Sequence, residues 1–180
     1  TLRNMANNGT VELNTANATG GVVVTMKDAS GKTDTFNIVT KVDTLSDTTS
    51  VDAVVVAGVE TINVTATDIS PVNTDKTSVN FGKATISQAK LILTAADAKT
   101  VNVYGAGDVS LSTTSSVLTK VDASAMTGAL TYTISSSVAD FALTSNTGAD
   151  NITVAASNNA QVKTGAGDDT IIVQAGAVSA

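Results

Sequence analysis

The chain has 180 residues, 42% of them hydrophobic but only 3% aromatic and 14% charged, with a net charge of −6 and a pI near 4.3. It contains no cysteine and no histidine, which removes disulfide scaffolds, thiolate metal sites, the usual zinc and haem ligands and Ser-His-Asp catalysis. An acidic chain without a basic stripe does not suit nucleic acid, and no apolar run is long enough to span a membrane.

The acidity is concentrated in Asp, 14 residues against only Glu12 and Glu60. Asp favours turns and calcium loops, whereas helix surfaces favour Glu. The hydrophobic content is mostly small and β-branched (Ala, Val, Ile, alongside Thr), which points to strands packed in thin, repetitive layers. A chain of this length can bury a core as one or two domains. It starts at Thr1, shows no signal peptide and stops at Ala180 just after a strand, and is expected to be a piece of a longer protein, outside which any export signal could lie.

In chain order, Thr10–Leu13 is a first short strand candidate. Gly21–Met26 is a firm strand, followed by the turn residues Asp28–Gly31 and a second strand over Thr35–Val42. Turn residues between two β-branched runs predict a hairpin. Gly31-Lys32-Thr33 has the look of a phosphate-loop tail, but Met26 stands where the loop requires Gly and a strand follows instead of a helix, so that reading fails. Val51–Val56 is apolar, and Gly58–Val64 alternates inward Val and Ile with outward polar groups. Glu60 is expected to be an exposed residue opening this strand, with a ligand role as the alternative. The only proline, Pro71, lies among the turn formers of Asp68–Lys76 and marks the best domain boundary.

From Ser78 onward two interleaved apolar series appear. One runs Leu91/Leu93, Val109/Leu111, Leu130/Tyr132/Ile134, Ile152/Val154 and Ile171/Val173. The other runs Val101/Val103, Leu118/Val121, Phe141/Leu143 and Val162. Both recur at roughly 20-residue steps, the signature of a coil with two strands per turn. The predicted fold is therefore all-β. A parallel β-roll or right-handed β-helix-like coil occupies 71–180, preceded by a smaller β-rich region with a hairpin over 1–70. Val103, Leu111, Ile134, Leu143, Ile152, Val162 and Ile171 should be buried as one stacked core.

The period also sorts the loops. Those entering the first series are rich in Gly and Asp: Gly105–Asp108, Asp122–Gly128, Ser145–Asp150 and Thr164–Asp169. Those entering the second are mostly Ser and Ala. One edge of the coil should thus stack carboxylates about one strand spacing apart, an arrangement expected to require cations between the charges. Ser145–Val154 and Thr164–Val173 superpose with an offset of 19 residues. Gly148 then meets Gly167, Asp150 meets Asp169 and Ile152 meets Ile171. Each copy fits part of the nonapeptide G-G-x-G-x-D-x-U-x, whose glycines permit tight turns with free carbonyls and whose Asp adds a hard anionic oxygen suited to calcium. Ser145, Asn146 and Thr164 stand where the motif has its opening glycines. A bare pair of β-turns is the ion-free alternative.

Ala57–Asp68 (A-G-V-E-T-I-N-V-T-A-T-D), Val121–Gly128 (V-D-A-S-A-M-T-G) and the G-A-D and G-A-G-D-D turns resemble the Caulobacter-type bacterial surface-layer protein and its relatives, secreted proteins with repeats-in-toxin (RTX) calcium motifs. The resemblance implies a lattice-forming exoprotein at the cell surface, exported by type I secretion and requiring Ca2+ to fold and self-associate. It implies Asp150 and Asp169 as carboxylate ligands and Gly148 and Gly167 as carbonyl donors, with Asp168, Asp108 and Asn146 as further metal ligands. Cell-surface polysaccharide is a further expected partner. A repeat of a secreted adhesin shares most of these features and is the runner-up. An ice-binding face is weakly supported, since Thr-x-Thr does not recur at the coil period. A polysaccharide-active β-helix enzyme would need carboxylate pairs beside aromatic sugar platforms. With no Trp, two Tyr and a single Arg, no enzymatic role is expected.

Overall fold

A computed structural model describes residues 1–13, 21–42, 51–68, 88–134, 140–155 and 159–174. In chain order the strands are β1 (Leu2–Met5), β2 (Gly9–Leu13), β3 (Val22–Met26), β4 (Thr35–Val42), β5 (Val51–Val56), β6 (Thr61–Asp68), β7 (Gln88–Thr94) and β8 (Thr100–Gly105). They continue as β9 (Asp108–Thr114), β10 (Lys120–Met126), β11 (Leu130–Ile134), β12 (Ala142–Thr144), β13 (Asn151–Val154), β14 (Gln161–Lys163) and β15 (Thr170–Val173). There is no helix among the described residues.

The chain alternates between two sheets. All eight odd strands form one sheet in sequence order, and the seven even strands form the other. Every pairing is parallel. A parallel neighbour can be reached only by a crossover, and here the crossover is a strand of the opposite sheet. The result is a coil with two strands per turn, as in a β-roll or flattened β-helix. The two interleaved apolar series follow its two sheets: the first lies on β7, β9, β11, β13 and β15, the second on β8, β10, β12 and β14, with Leu118 and Phe141 just before β10 and β12.

The hairpin expected between Gly21–Met26 and Thr35–Val42 does not form. β3 pairs with β1 and β5, while β4 pairs with β2 and β6. Asp28 does make a tight turn, its Oδ1 accepting from the Ser30 backbone N–H at 3.0 Å and the Ser30 hydroxyl at 2.7 Å. That turn sends the chain across to the opposite sheet instead of back along its own. Both sheets run on from β5 to β7 and from β6 to β8. Pro71 and the 69–87 stretch around it lie outside the described residues.

Period-two alternation fills the interior. Phe36 and Ile38, Ile62 and Val64, Val101 and Val103, and Leu91 and Leu93 are all buried and face inward between the sheets. Tyr132 on β11 stacks on Phe141, which precedes β12, with ring centroids 6.2 Å apart and planes 9° from parallel. The buried phenol of Tyr132 reaches the Thr113 hydroxyl at 2.7 Å, as an interior hydroxyl requires. On the outer face of the even sheet the in-register residues Asn37, Asn63 and Asn102 form an amide ladder. Asn102 Nδ2 donates to Asn63 Oδ1 and Asn63 Nδ2 to Asn37 Oδ1, both at 2.9 Å, and Asn37 Nδ2 continues to Asn8 Oδ1 at 3.0 Å.

Five of the seven expected core residues (Val103, Leu111, Ile134, Leu143 and Ile152) are buried. The other two are not. Val162 is only partly buried and Ile171 is 48% exposed. They occupy the inward register positions of β14 and β15, which pair with Leu143 and Ile152, but these are the edge strands of the described sheets and have a neighbour on one side only.

This difference sets an expected pair of outcomes. Ile152→Ala, at a site with 0% exposure, should lower the unfolding free energy by about 2–4 kcal/mol. Ile171→Ala, one coil away in the same column, should lower it by under about 1 kcal/mol. Urea unfolding of both variants measures the contrast, and equal losses would mean that the column is not stacked in this register.

Candidate functional site

The Gly-Asp loops carry the chain from the even sheet to the odd sheet and form one corner of the coil. Their backbones nearly touch. A Cβ on Gly128 would lie 2.4 Å from the Gly107 carbonyl oxygen, one on Gly148 2.3 Å from that of Gly128, and one on Gly167 2.3 Å from that of Gly148. Four glycines thus stack in a column because the coils leave no room for a side chain. Only Gly167 among these also requires a left-handed backbone, with φ +138; at Gly128 and Gly148 close approach alone selects glycine. Gly165 does both jobs, with φ +83 and the Asn146 carbonyl oxygen 2.1 Å from where its Cβ would be.

Strand register fixes the placement of the acids beyond these glycines. Leu130 pairs with Val109, Thr131 with Asn151, and Asn151 with Thr170. One step back from the last two pairings, Asp150 and Asp169 continue the column of Val109 and Leu130. Those two are inward-facing and buried. Asp150 therefore points into the coil and is 2% exposed, while Asp169 in the edge coil is half-buried. Asp108 and Asp168 have the opposite parity, with Asp108 half-buried and Asp168 exposed on the outer side.

Backbone donors hold these carboxylates. Asp108 Oδ1 accepts the Ala129 N–H and Asp150 Oδ1 the next one, from Leu130, both at 2.7 Å. One turn is thus held by acids from the coils on either side of it. Asp169 Oδ1 accepts the Asp150 N–H at 3.0 Å. N–H groups at the strand starts thus occupy part of the space between the stacked carboxylates and offset negative charge directly.

Asp150 is the strained member of the set. Burial pushes its carboxyl above the ordinary range, with the Asp169 and Asp108 charges adding to the push, while the Ser145 hydroxyl and Leu130 N–H pull the other way. Ser145, also buried, places its hydroxyl 2.5 Å from Asp150 Oδ2 and 3.1 Å from the Thr164 carbonyl oxygen. The hydroxyl has one proton for two acceptors. If Asp150 is protonated it donates to Ser145, Ser145 donates to Thr164, and every group is satisfied; if Asp150 is ionised, the Thr164 acceptor loses that donor.

The sequence-predicted ligands are thus partly brought together. Asp150 and Asp169 are adjacent, with Asp108 close enough to act on Asp150, whereas Asp168 points away. Gly148 turns its carbonyl toward Gly167, and Asn146 commits its own to the Ala166 N–H at 2.6 Å. No group of three acidic, histidine or cysteine side chains among the described residues is placed to hold a metal ion. Sequence reasoning missed Ser145, visible only as a substitution for a motif glycine. It also missed the inward parity of Asp150, which the spacing Asp150-x-Ile152-x-Val154 does contain. Glu60, expected to be exposed, is half-buried, and its Oε2 accepts the Asp34 N–H at 2.9 Å. No protein-family model matches the chain, and no curated protein matches it significantly.

The raised carboxyl of Asp150 gives a pH dependence with a definite sign. A folded-state pKa above the unfolded value means that the native state binds the proton more tightly. The calcium-free protein should therefore gain stability as pH falls from above that raised value, and the gain should level off below about 3.9, where the unfolded Asp is also protonated. Asp150→Asn should remove this component. Thermal unfolding of both proteins across that range in calcium-free buffer measures it; parallel pH profiles would show that Asp150 is not the group responsible.

Proposed function

We propose that this chain is a structural segment of a secreted, calcium-stabilised bacterial surface protein, a component of a surface layer. The observation that carries the reading is the corner where Gly107, Gly128, Gly148 and Gly167 stack and Asp150 and Asp169 face inward side by side. A buried carboxylate next to another acid has two ways to shed its cost, a proton or a cation. At neutral pH and the high calcium found outside cells, a hard divalent ion is the stronger competitor. Binding there would tie the last coils together, so that folding depends on calcium. In low calcium the unneutralised corner would leave that end looser, which suits a chain exported before it folds.

β15 is the last strand of its sheet among the described residues, and Ile171, Ile172 and Val173 on it are 48%, 46% and 72% exposed. Further strands, of this chain or of another copy, would continue the stack there. A second reading, a cell-surface adhesin repeat, draws on the outer face of the even sheet. There Asn37, Asn63 and Asn102 run beside the in-register Thr35, Thr61 and Thr100, an array of amides and hydroxyls suited to polysaccharide.

Calcium titration monitored by circular dichroism and light scattering tests the leading reading. Asp169→Asn should weaken the calcium response by roughly tenfold, since calcium affinity depends on ligand charge, without lowering the stability of the calcium-free protein. Asp140→Asn serves as control. Asp140 lies at the opposite corner with φ +60, which Asn tolerates, and accepts from Asn159 Nδ2 at 2.8 Å. Its response should stay within about twofold of the parent. Equal effects at both positions, or none at either, would sink the proposal.

A further inference from the structure

The opposite corner of the coil holds a second pair of inward acids, of which Asp34 lacks the donors that satisfy Asp150. Asp34 precedes β4 and Glu60 precedes β6. Since Thr35 pairs with Thr61, one step back sets Asp34 beside Glu60. Both share the parity of the buried residues beyond them, Phe36 and Ile38 after Asp34, Ile62 and Val64 after Glu60. The backbones are tied: the Asp34 carbonyl accepts the Glu60 N–H at 3.1 Å and the Thr61 N–H at 3.0 Å, and Glu60 Oε2 accepts the Asp34 N–H at 2.9 Å. Both acids are therefore fixed at one place by the fold.

Asp34 is buried, with an exposure of only 7%. Its Oδ2 is fully enclosed and has no hydrogen-bond partner among the described residues. The carboxylate lies against Gly31, where a Cβ would come within 2.3 Å of Oδ2 and 2.8 Å of Oδ1. The Asp34 carboxylate thus occupies the space that a side chain at position 31 would need. The ion pairs among the described residues are Lys41–Glu12 and Lys120–Asp122; none reaches Asp34 or Glu60. In the packed coils Glu60 and then Lys99 follow Asp34 in register, the Lys99 N–H donating to the Glu60 carbonyl at 2.9 Å and its exposed side chain forming no ion pair with either acid, while Asn7 and Asn8 belong to the coil before. Asn7 Oδ1 is committed to the Thr35 N–H, and the Asn8 N–H to the Thr35 carbonyl. A buried carboxylate oxygen with no donor and an acid beside it is unstable unless a positive species joins it.

We infer that the corner formed by Asp34 and Glu60 is a binding site for one hard divalent cation of the calcium type, with the Asp34 carboxylate as its anchoring ligand and Glu60 as the second. An oxygen-only pair of carboxylates suits calcium, which completes its six to eight ligands from carbonyls and water. The site is separate from the Asp150–Asp169 corner and does not depend on it. Its position gives it a distinct effect: it would lock β4 to β6, in the half of the coil away from the Gly-Asp turns.

Calorimetric titration of the whole chain with CaCl2 at neutral pH counts the sites. Asp34→Asn should lower the calcium stoichiometry by one and leave the calcium-free thermal midpoint unchanged or higher, because it removes a buried charge. Glu60→Gln, which keeps Asp34 in place, should weaken the same site by more than about tenfold and serves as the readout if Asp34→Asn does not fold. Asp169→Asn in parallel separates the two corners. If the reading of the Gly-Asp corner fails, Asp169→Asn leaves the stoichiometry unchanged while Asp34→Asn still lowers it. An unchanged stoichiometry and affinity in Asp34→Asn and Glu60→Gln would overturn the inference.

Discussion

In-register parallel stacking is the constraint on which the rest of this structure depends. Each strand donates and accepts along the stack, and a slip of one residue would exchange its inner and outer faces. Side chains at equivalent positions therefore lie directly above one another for the length of each sheet. Apolar columns become the core, the Asn37–Asn63–Asn102 column becomes a hydrogen-bonded ladder, and glycine columns mark where backbones touch. The same rule makes acids dangerous: an acid placed at an inward position faces the core below and its neighbour above. Asp150 lies at a corner, where the free N–H of a neighbouring turn can reach it, as that of Leu130 does.

The C-terminal half was legible because its coils are nearly uniform. Val101 pairs with Val121, Val121 with Leu143 and Leu143 with Val162, steps of 20, 22 and 19 residues, and a roughly 20-residue period finds them. In the N-terminal half Asn37 pairs with Asn63 and Asn63 with Asn102, steps of 26 and 39. Loops of unequal length hide the repeat there. The sequence around Asp28–Gly31 then reads as a local turn between two strands, and a hairpin is the simplest local answer. Nothing local distinguishes a turn that reverses the chain within a sheet from one that carries it to another. Only the long-range pairing decides.

The acids divide along a similar line. That Gly and Asp gather at one corner is visible from composition once the period is known. Which of them face inward is a matter of parity: Asp150, Ile152 and Val154 share one face, and Asp108 and Val109 do not. What the sequence withholds is how each carboxylate is satisfied. Asp150 and Asp34 have equivalent patterns, an acid two residues before a buried apolar side chain, yet one meets Ser145 and the Leu130 N–H and the other meets only Gly31. That difference depends on how the neighbouring turns are shaped, and turn shape is the least periodic part of the chain. Asp122 shows a third solution on the outer face. There the ammonium of Lys120, 2.8 Å away, and the Ser124 hydroxyl hold its carboxyl down to about 2.

The amide ladders also set how the molecule bears force. Their hydrogen bonds run along the stack, so tension applied between its two ends loads the coil interfaces in series, and the weakest interface limits the whole. β4 and β6 share eight register pairs, whereas β9 and β11, and β10 and β12, share only three each. A stack pulled from both ends should therefore be weakest between the coil of β9 and β10 and that of β11 and β12, where the pairing is short in both sheets at once.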